Sequence, residues 1–338
     1  MKLLSFFTKL LHLLPTETSH DIGLYSIKFL HKFGLLKLIS TTNKINESSQ
    51  MHSRDSNITF LDRFPNKLGI AAGLDKNGDF IDALSSLNIG FIEIGTITPR
   101  PQDGNNKPRL FRDKKNLALI NRMGFNNKGV DYLVSQVKRR KSKIPLGISI
   151  GKNFDTPIKD AYKDYLICLD KVYEFADYIA VNVSSPNTQN LRELSSEEYF
   201  DILLMQIKTL QLKKSNQYGY KPLFIKISPD ETMEKIKKIC TAISRNSIDG
   251  IICSNTSTDH QSEYGNGGIS GKPLMKSSTE ILKEVRSLMG DQFPIIASGG
   301  VMNVLDFQNK IKAGANLVQI YTGFIYKGPK LIKEILEV

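Results

Sequence analysis

Cysteine is scarce in this 338-residue chain: Cys168, Cys240 and Cys253 are the only three. They do not fall at metal-ligand spacing, which argues against both a disulfide framework and a zinc site, and fits a reducing compartment. Long apolar runs are also lacking, and none approaches the roughly 20 residues of a membrane-spanning helix. Arginine is absent before Arg54, against the Arg-rich habit of a mitochondrial transit peptide. Met1–Leu14 is apolar and carries Lys2, but Lys9 interrupts it and no small-residue cleavage site follows, so no secretory signal is expected. Acidic residues are outnumbered, 34 to 46, which leaves a formal net charge of +12. The basic residues are scattered, with short runs at Lys138–Lys143 and Lys213–Lys214 where helix ends are predicted. Solvated helix termini complementing the helix dipole account for such runs, so a nucleic-acid partner is not expected.

What is present is enough for one large core: 40% of residues are hydrophobic and 24% charged, so disorder as a whole is excluded. Composition separates three regions. Residues 1–45 are apolar with helical spacing, residues 46–57 are a polar linker, and residues 58–338 alternate regularly. In that last region short apolar runs bounded by Gly, Pro or Asn predict strands at Leu68–Ala71, Phe91–Gly95, Leu146–Ile150, Tyr178–Val183, Leu223–Ile227, Gly250–Cys253, Pro294–Ala297 and Leu317–Ile320. Amphipathic segments lie between them, at Val130–Arg140, Ala161–Phe175, Glu197–Leu212, Glu231–Ile243 and Thr279–Met289. Eight βα units of this kind predict an α/β fold, a (β/α)8 TIM barrel. A doubly wound sheet is the alternative, but no G-x-G-x-x-G follows the first strand.

A barrel places its active site at the carboxyl ends of the strands, and polar residues gather there: Lys76 after the first strand, Thr96, Gly151–Asn153, Asn182–Thr188, Lys226, Ser254–Thr258, Ser298–Gly300 and Tyr321–Gly323. Each has a bland explanation alone: a lysine ends a strand in solvent, and an asparagine or glycine completes a turn. Their coincidence at one mouth is what points to a site. Gly299–Gly300 and Thr322–Gly323 follow strands seven and eight, where such barrels bind phosphate through backbone N–H groups, so a phosphorylated ligand is expected. Lys226 puts a fixed positive charge beside that ligand, as a flavin requires on two-electron reduction. Neither a histidine nor a carboxylate pair is expected at the mouth, so hydrolytic acid–base chemistry and a metal site have little support.

The segments AAGLDKNG (71–78), IEIGTITPRPQDGNNKPRLFR (92–112), INRMGFNNKG (120–129), IGKN (150–153), NVSSPNT (182–188), KISPD (226–230), GGISGKPL (267–274) and QIYTGFIYKGP (319–329) together resemble the dihydroorotate dehydrogenases, in that family's order. Two features resemble its quinone-dependent class 2. Ser185 stands where class 1 has a catalytic cysteine, and the N-terminal extension is similar to the helical membrane-docking segment of class 2. The resemblance implies FMN held by Ala72, Gly73, Thr96, Ser149, Asn182, Lys226, Ser254, Gly271, Gly300, Tyr321 and Thr322. It implies dihydroorotate held by Lys76, by the loop Asn121, Arg122, Met123, Gly124 and Phe125, and by Asn182, Asn187, Asn255 and Thr256. A substrate carrying a carboxylate and ring amides calls for such a cation and such side-chain amides. Two positions depart from the family pattern: Ser149 replaces the more usual asparagine, so a water is expected between it and the flavin, and Ser254 replaces threonine but keeps the hydroxyl.

By the same resemblance Ser185 removes the C5 proton of dihydroorotate while the C6 hydride goes to the flavin, with Thr188 or a water as the next proton acceptor. The acceptor implied for the electrons is ubiquinone or menaquinone, reached through two short N-terminal helices with a Pro15 break and Ser19 as a helix-cap candidate. Their apolar faces and flanking lysines suit the interface of an anionic membrane, and core packing would demand one apolar face per helix too. A monomer bound peripherally to the cytoplasmic side of a bacterial inner membrane is the expectation. A tRNA dihydrouridine synthase, another FMN barrel, is the nearest enzymatic rival, but it would need a catalytic cysteine near Ser185.

Overall fold

The structure, a computed structural model, describes residues 10–38, 60–188, 191–192 and 197–337. The expected linker at 46–57 and most of the helix expected over Met1–Leu14 lie outside these residues.

Eight parallel strands close a barrel in the order β1 (Leu68–Ile70), β2 (Phe91–Ile97), β5 (Leu146–Ile150), β6 (Tyr178–Asn182), β7 (Leu223–Ile227), β8 (Gly250–Cys253), β10 (Ile295–Ser298) and β11 (Leu317–Ile320), with β11 returning to β1. The (β/α)8 expectation therefore holds, and every barrel strand overlaps its predicted run. The strands read as near-continuous Val, Ile and Leu because one face meets the barrel interior and the other the helices. Nine helices outside the first surround or cap the barrel among the described residues: α2 (Ile81–Ser85), α3 (Val130–Lys138), α4 (Ala161–Val172), α5 (Glu197–Tyr218), α6 (Met233–Arg245), α7 (Met275–Met289), α8 (Val304–Lys312), α9 (Thr322–Lys327) and α10 (Pro329–Leu336). Helix α5 runs past the predicted end at Leu212, so Lys213 and Lys214 lie inside it, and Lys214 pairs with Asp170 at 2.5 Å.

The barrel interior is layered. At the amino ends of the strands Phe91, Tyr178 and Phe224 fill the lumen. A Cβ on Gly69, Gly147 or Gly250 would lie 2.4, 2.1 and 2.2 Å from the rings of Phe91, Tyr178 and Phe224 respectively. Those three strand glycines are thus spaces for aromatic rings. Phe60 and Phe64 close the same end from below, with Phe60 5.5 Å from Phe224 and Phe64 5.3 Å from Phe91. Next comes a polar layer, in which buried Glu93 accepts hydrogen bonds from Tyr178 Oη at 2.9 Å and Gln319 Nε2 at 2.7 Å. Lys226, Asn182, Ser254 and Ser298 lie above it at the mouth.

A three-stranded antiparallel sheet, β3 (Leu110–Asp113), β4 (Ala118–Asn121) and β9 (Gly268–Gly271), forms a lip over the mouth, with Asn121 opposite both Leu110 and Gly268. Four-residue strands give too short an alternation to be read from sequence. The first described helix, α1 (Thr16–Lys32), rests on this lip. Pro15, not Ser19, is its cap residue, because the fixed φ of proline suits a helix start. Ser19 instead turns inward and accepts a hydrogen bond from Arg112 at 3.0 Å.

Candidate active site at the barrel mouth

The strand ends and the lip surround a cavity that opens to solvent, the setting in which barrels bind small ligands. Of the predicted site residues, Ala72, Gly73, Lys76, Thr96, Asn121, Met123, Gly124, Phe125, Asn182, Ser185, Asn187, Lys226, Ser254, Asn255, Thr256, Gly271, Gly300, Tyr321 and Thr322 all line it. Lys76 and Lys226 are the two charged residues in its wall, with no carboxylate among the described lining residues. Such a cavity selects anions.

Two predicted residues are not brought to it. Ser149 is fully buried and its hydroxyl meets Thr96 Oγ1 directly at 2.9 Å. It therefore stands behind Thr96, with a protein hydroxyl where a bridging water was expected. Arg122 turns out of the mouth: its guanidinium donates to the carbonyls of Tyr264 at 3.1 Å and Asn266 at 2.6 Å, and stacks 4.5 Å above the Phe111 ring. That places it as a tie between the lip and the loop before β9, since a planar guanidinium suits stacking and carbonyl pairing.

The amides form a preorganised set. Asn182 Nδ2 donates to Thr96 at 3.0 Å, and Asn182 Oδ1 accepts from Asn255 at 3.1 Å; Asn255 also donates to Ser184 Oγ at 3.1 Å. Asn187 donates to Asn121 Oδ1 at 2.9 Å, and Asn121 donates to the Gly268 carbonyl at 3.1 Å. Side chains locked this way meet a ligand without further loss of rotamer freedom. Ser185 is buried, and its one hydrogen bond among the described residues is accepted from Asn187 N at 3.4 Å. The buried Thr188 hydroxyl has no hydrogen-bond partner among the described residues.

Lys76 owes its position to its neighbour. The buried Asp75 carboxylate accepts backbone N–H bonds from Gly78, Asp79 and Phe80 at 2.8, 3.0 and 2.8 Å, which fixes the loop. Burial raises the Asp75 pKa to about 6, against the pull of those N–H groups. Burial likewise lowers the Lys76 ammonium to about 8, and the nearby carboxylate of Glu17 partly opposes this. Helix α1 locks the outer side. His20 Nε2 donates to the Leu74 carbonyl at 3.1 Å, and Glu17 pairs with Arg109 at 2.8 Å. Burial pushes His20 down to about 3, so it is neutral at physiological pH. Ser298, expected at the mouth, lines the cavity, as do Gln319 and Ser270, which were not singled out from the sequence, with Glu93 beneath them. A polar residue inside an otherwise apolar strand, as in FIEIG and LVQI, was the available signal.

Gly300 provides a test for a phosphate group. A Cβ there would lie 2.3 Å from Met275 Cα, the first residue of the 15-residue helix α7. Only glycine lets the loop backbone reach that helix start, the setting in which N–H groups hold phosphate.

Comparison with known proteins gives a consistent result. The dihydroorotate dehydrogenase family model matches residues 56–338. A dihydroorotate dehydrogenase (quinone) of Coxiella burnetii is 46% identical over 331 residues, covering 96% of this chain and 93% of its own length. Its namesake in Acinetobacter baylyi is 47% identical over 340 residues, covering 98% of each. The crystal structure of DHODH in complex with ferulenol from Eimeria tenella superposes with a TM-score of 0.82 at 32% identity, covering 95% of this chain and 89% of that one.

Proposed function

The chain belongs to the dihydroorotate dehydrogenase family, in its quinone-dependent class, and from that premise we propose that its mouth holds FMN and dihydroorotate together and that its electrons leave to a membrane quinone. The carrying observation is the cavity itself: two lysines, no carboxylate among the described lining residues, and two hydrogen-bonded asparagine pairs, Asn182–Asn255 and Asn121–Asn187. The residues suit FMN. Gly299–Gly300 against the start of α7 offers N–H groups to the phosphate, and Thr96, Asn182 and Ser254 offer polar edges to the ring, with Ser149 supporting Thr96 from behind. FMN, when bound, supplies the two-electron acceptor.

The chain's own residues do the rest. Lys76 holds the substrate carboxylate, and Asn121, Asn182, Asn187 and Asn255 pair with the donors and acceptors of the ring. Ser185 takes the C5 proton. A serine hydroxyl is a weak base alone, so the proton must pass on, and the Thr188 hydroxyl, without a partner among the described residues, is a suitable neighbour. Lys226 balances the negative charge gained by the flavin.

The same reading puts the quinone approach at α1. Its inner side is tied to the mouth through His20 and Glu17, while Tyr25, Phe29 and Phe33 are each about 60% exposed on the outside. Inner packing alone does not require those rings in water; a membrane interface does. Among the described residues no helix is long and apolar enough to cross a membrane, which suits peripheral attachment. The bacterial relatives suit the cytoplasmic face of an inner membrane.

The test is turnover with dihydroorotate against ubiquinone, menaquinone, fumarate and NAD, with and without anionic vesicles. Quinone-specific turnover, and release from vesicles in a Phe29→Ser/Phe33→Ser variant that still reduces its flavin, are expected. Turnover with fumarate or NAD but not quinone would overturn the acceptor assignment.

A further inference from the structure

One buried carboxylate lies outside the roles above. Glu93 is wholly enclosed in the barrel lumen, on β2, directly below the mouth. Its Oε2 is occupied by Tyr178 and Gln319. Its Oε1 has no hydrogen-bond partner among the described residues and lies 3.8 Å from Nζ of Lys226. Lys226 reaches Glu93 on one side and the cavity on the other.

We propose that Glu93 is a positioning residue that sets the flavin reduction potential, by drawing on the charge of Lys226 from below. The proposal deepens the reading in which Lys226 faces the flavin, and rests on it. Dihydroorotate gives up two electrons and two protons; both electrons and one proton go to the flavin, and the other proton leaves through Ser185. The ring therefore gains one negative charge beside Lys226. With Glu93 and Lys226 both buried, a carboxylate at 3.8 Å competes with that new charge for the same ammonium. Three features keep Glu93 in the contest. Full burial denies it water, two donors hold one oxygen, and the other is left facing Lys226. Tyr178 stays a donor because burial, and then the charge of Glu93, push its pKa well up. A buried pair like this does little for stability compared with an apolar pair of the same shape. It does give the protein a way to keep Lys226 oriented while moderating the pull of its charge, so that electrons drawn from dihydroorotate are still released to the acceptor.

The flavin potential, read from the visible spectrum of the holoenzyme in equilibrium with reference dyes, tests this. Glu93→Gln keeps the shape and the acceptor oxygen, and should raise the potential by about 30 mV or more, the equivalent of a tenfold change in a two-electron equilibrium. Tyr178→Phe keeps the carboxylate but strips one donor from it, and should shift the potential down by a smaller step. Lys226→Met should lower it. If Lys226→Met moves the potential and Glu93→Gln leaves it unchanged or lowers it, the role given to Glu93 is wrong. If Glu93→Gln does not retain flavin, Tyr178→Phe decides, and a wild-type potential there overturns the proposal. An unmoved potential in Lys226→Met overturns the reading of Lys226 itself.

Discussion

At the amino ends of the barrel strands the lumen is filled by Phe91, Tyr178 and Phe224, each seated against a strand glycine, and closed by Phe60 and Phe64. At the carboxyl ends the same strands present Thr96, Asn182, Lys226, Ser254 and Ser298 to a cavity. The floor depends on shape, since a ring fits or leaves a hole. The mouth depends on charge and on hydrogen bonds held ready for a ligand. Changes at the floor, other than at the Tyr178 hydroxyl that reaches Glu93, should therefore cost stability and spare chemistry, and changes at the mouth should do the reverse.

The largest expected effect falls at the mouth. Ser185→Ala should retain FMN and dihydroorotate and slow flavin reduction by about 10²–10⁴-fold, the usual loss for a positioned acid–base group. Stopped-flow reduction and the melting temperature, measured on one preparation, check both halves; a slowed rate accompanied by a collapsed fold would blur the division between the two ends.

That division was partly legible in the sequence. All eight barrel strands were, because parallel strands buried on both faces are written as short runs of Val, Ile and Leu. Most of the mouth was too, because Asn182 and Lys226 stand at the carboxyl ends of those runs and Lys76, Ser185 and Asn255 shortly after them. The floor was not, since a glycine that admits a ring from a neighbouring strand is indistinguishable from a turn glycine until the register is known. The lip was missed because its strands are four residues long. Arg122 and Ser149 share one lesson: residue type and motif position bring a side chain near a site, but the rotamer decides whether it faces in. Arg122 finds carbonyls and an aromatic face outside the mouth, and the buried Ser149 hydroxyl is engaged by Thr96.

A floor substitution sharpens the comparison from the other side. Phe224→Ala empties the space between Tyr178 and Phe60 and should cost roughly 3–5 kcal/mol of stability, read by denaturant unfolding of the holoenzyme. The rate of flavin reduction per folded molecule should stay near that of the wild type. A loss of rate exceeding the loss of fold would mean that the floor sets the geometry of the mouth.

The smallest effect concerns pH. Lys76 is held at about 8 by burial, so in the free enzyme it is charged below that pH and neutral above it. Its attraction for the substrate carboxylate is therefore present at neutral pH and lost as the pH rises through 8. The kcat/KM for dihydroorotate, which reports free-enzyme ionisations, should fall by about tenfold per pH unit above that point, and Lys76→Arg should remove the fall because a guanidinium stays charged.

The central claim, that the mouth is a flavin site reduced by dihydroorotate, is tested most directly by one anaerobic titration. The purified protein is mixed with dihydroorotate in the absence of any acceptor while its visible spectrum is followed. The account predicts a yellow protein carrying one FMN per chain, whose visible flavin absorbance bleaches with one equivalent of dihydroorotate. A colourless protein, or a yellow one that dihydroorotate leaves unbleached, would contradict it.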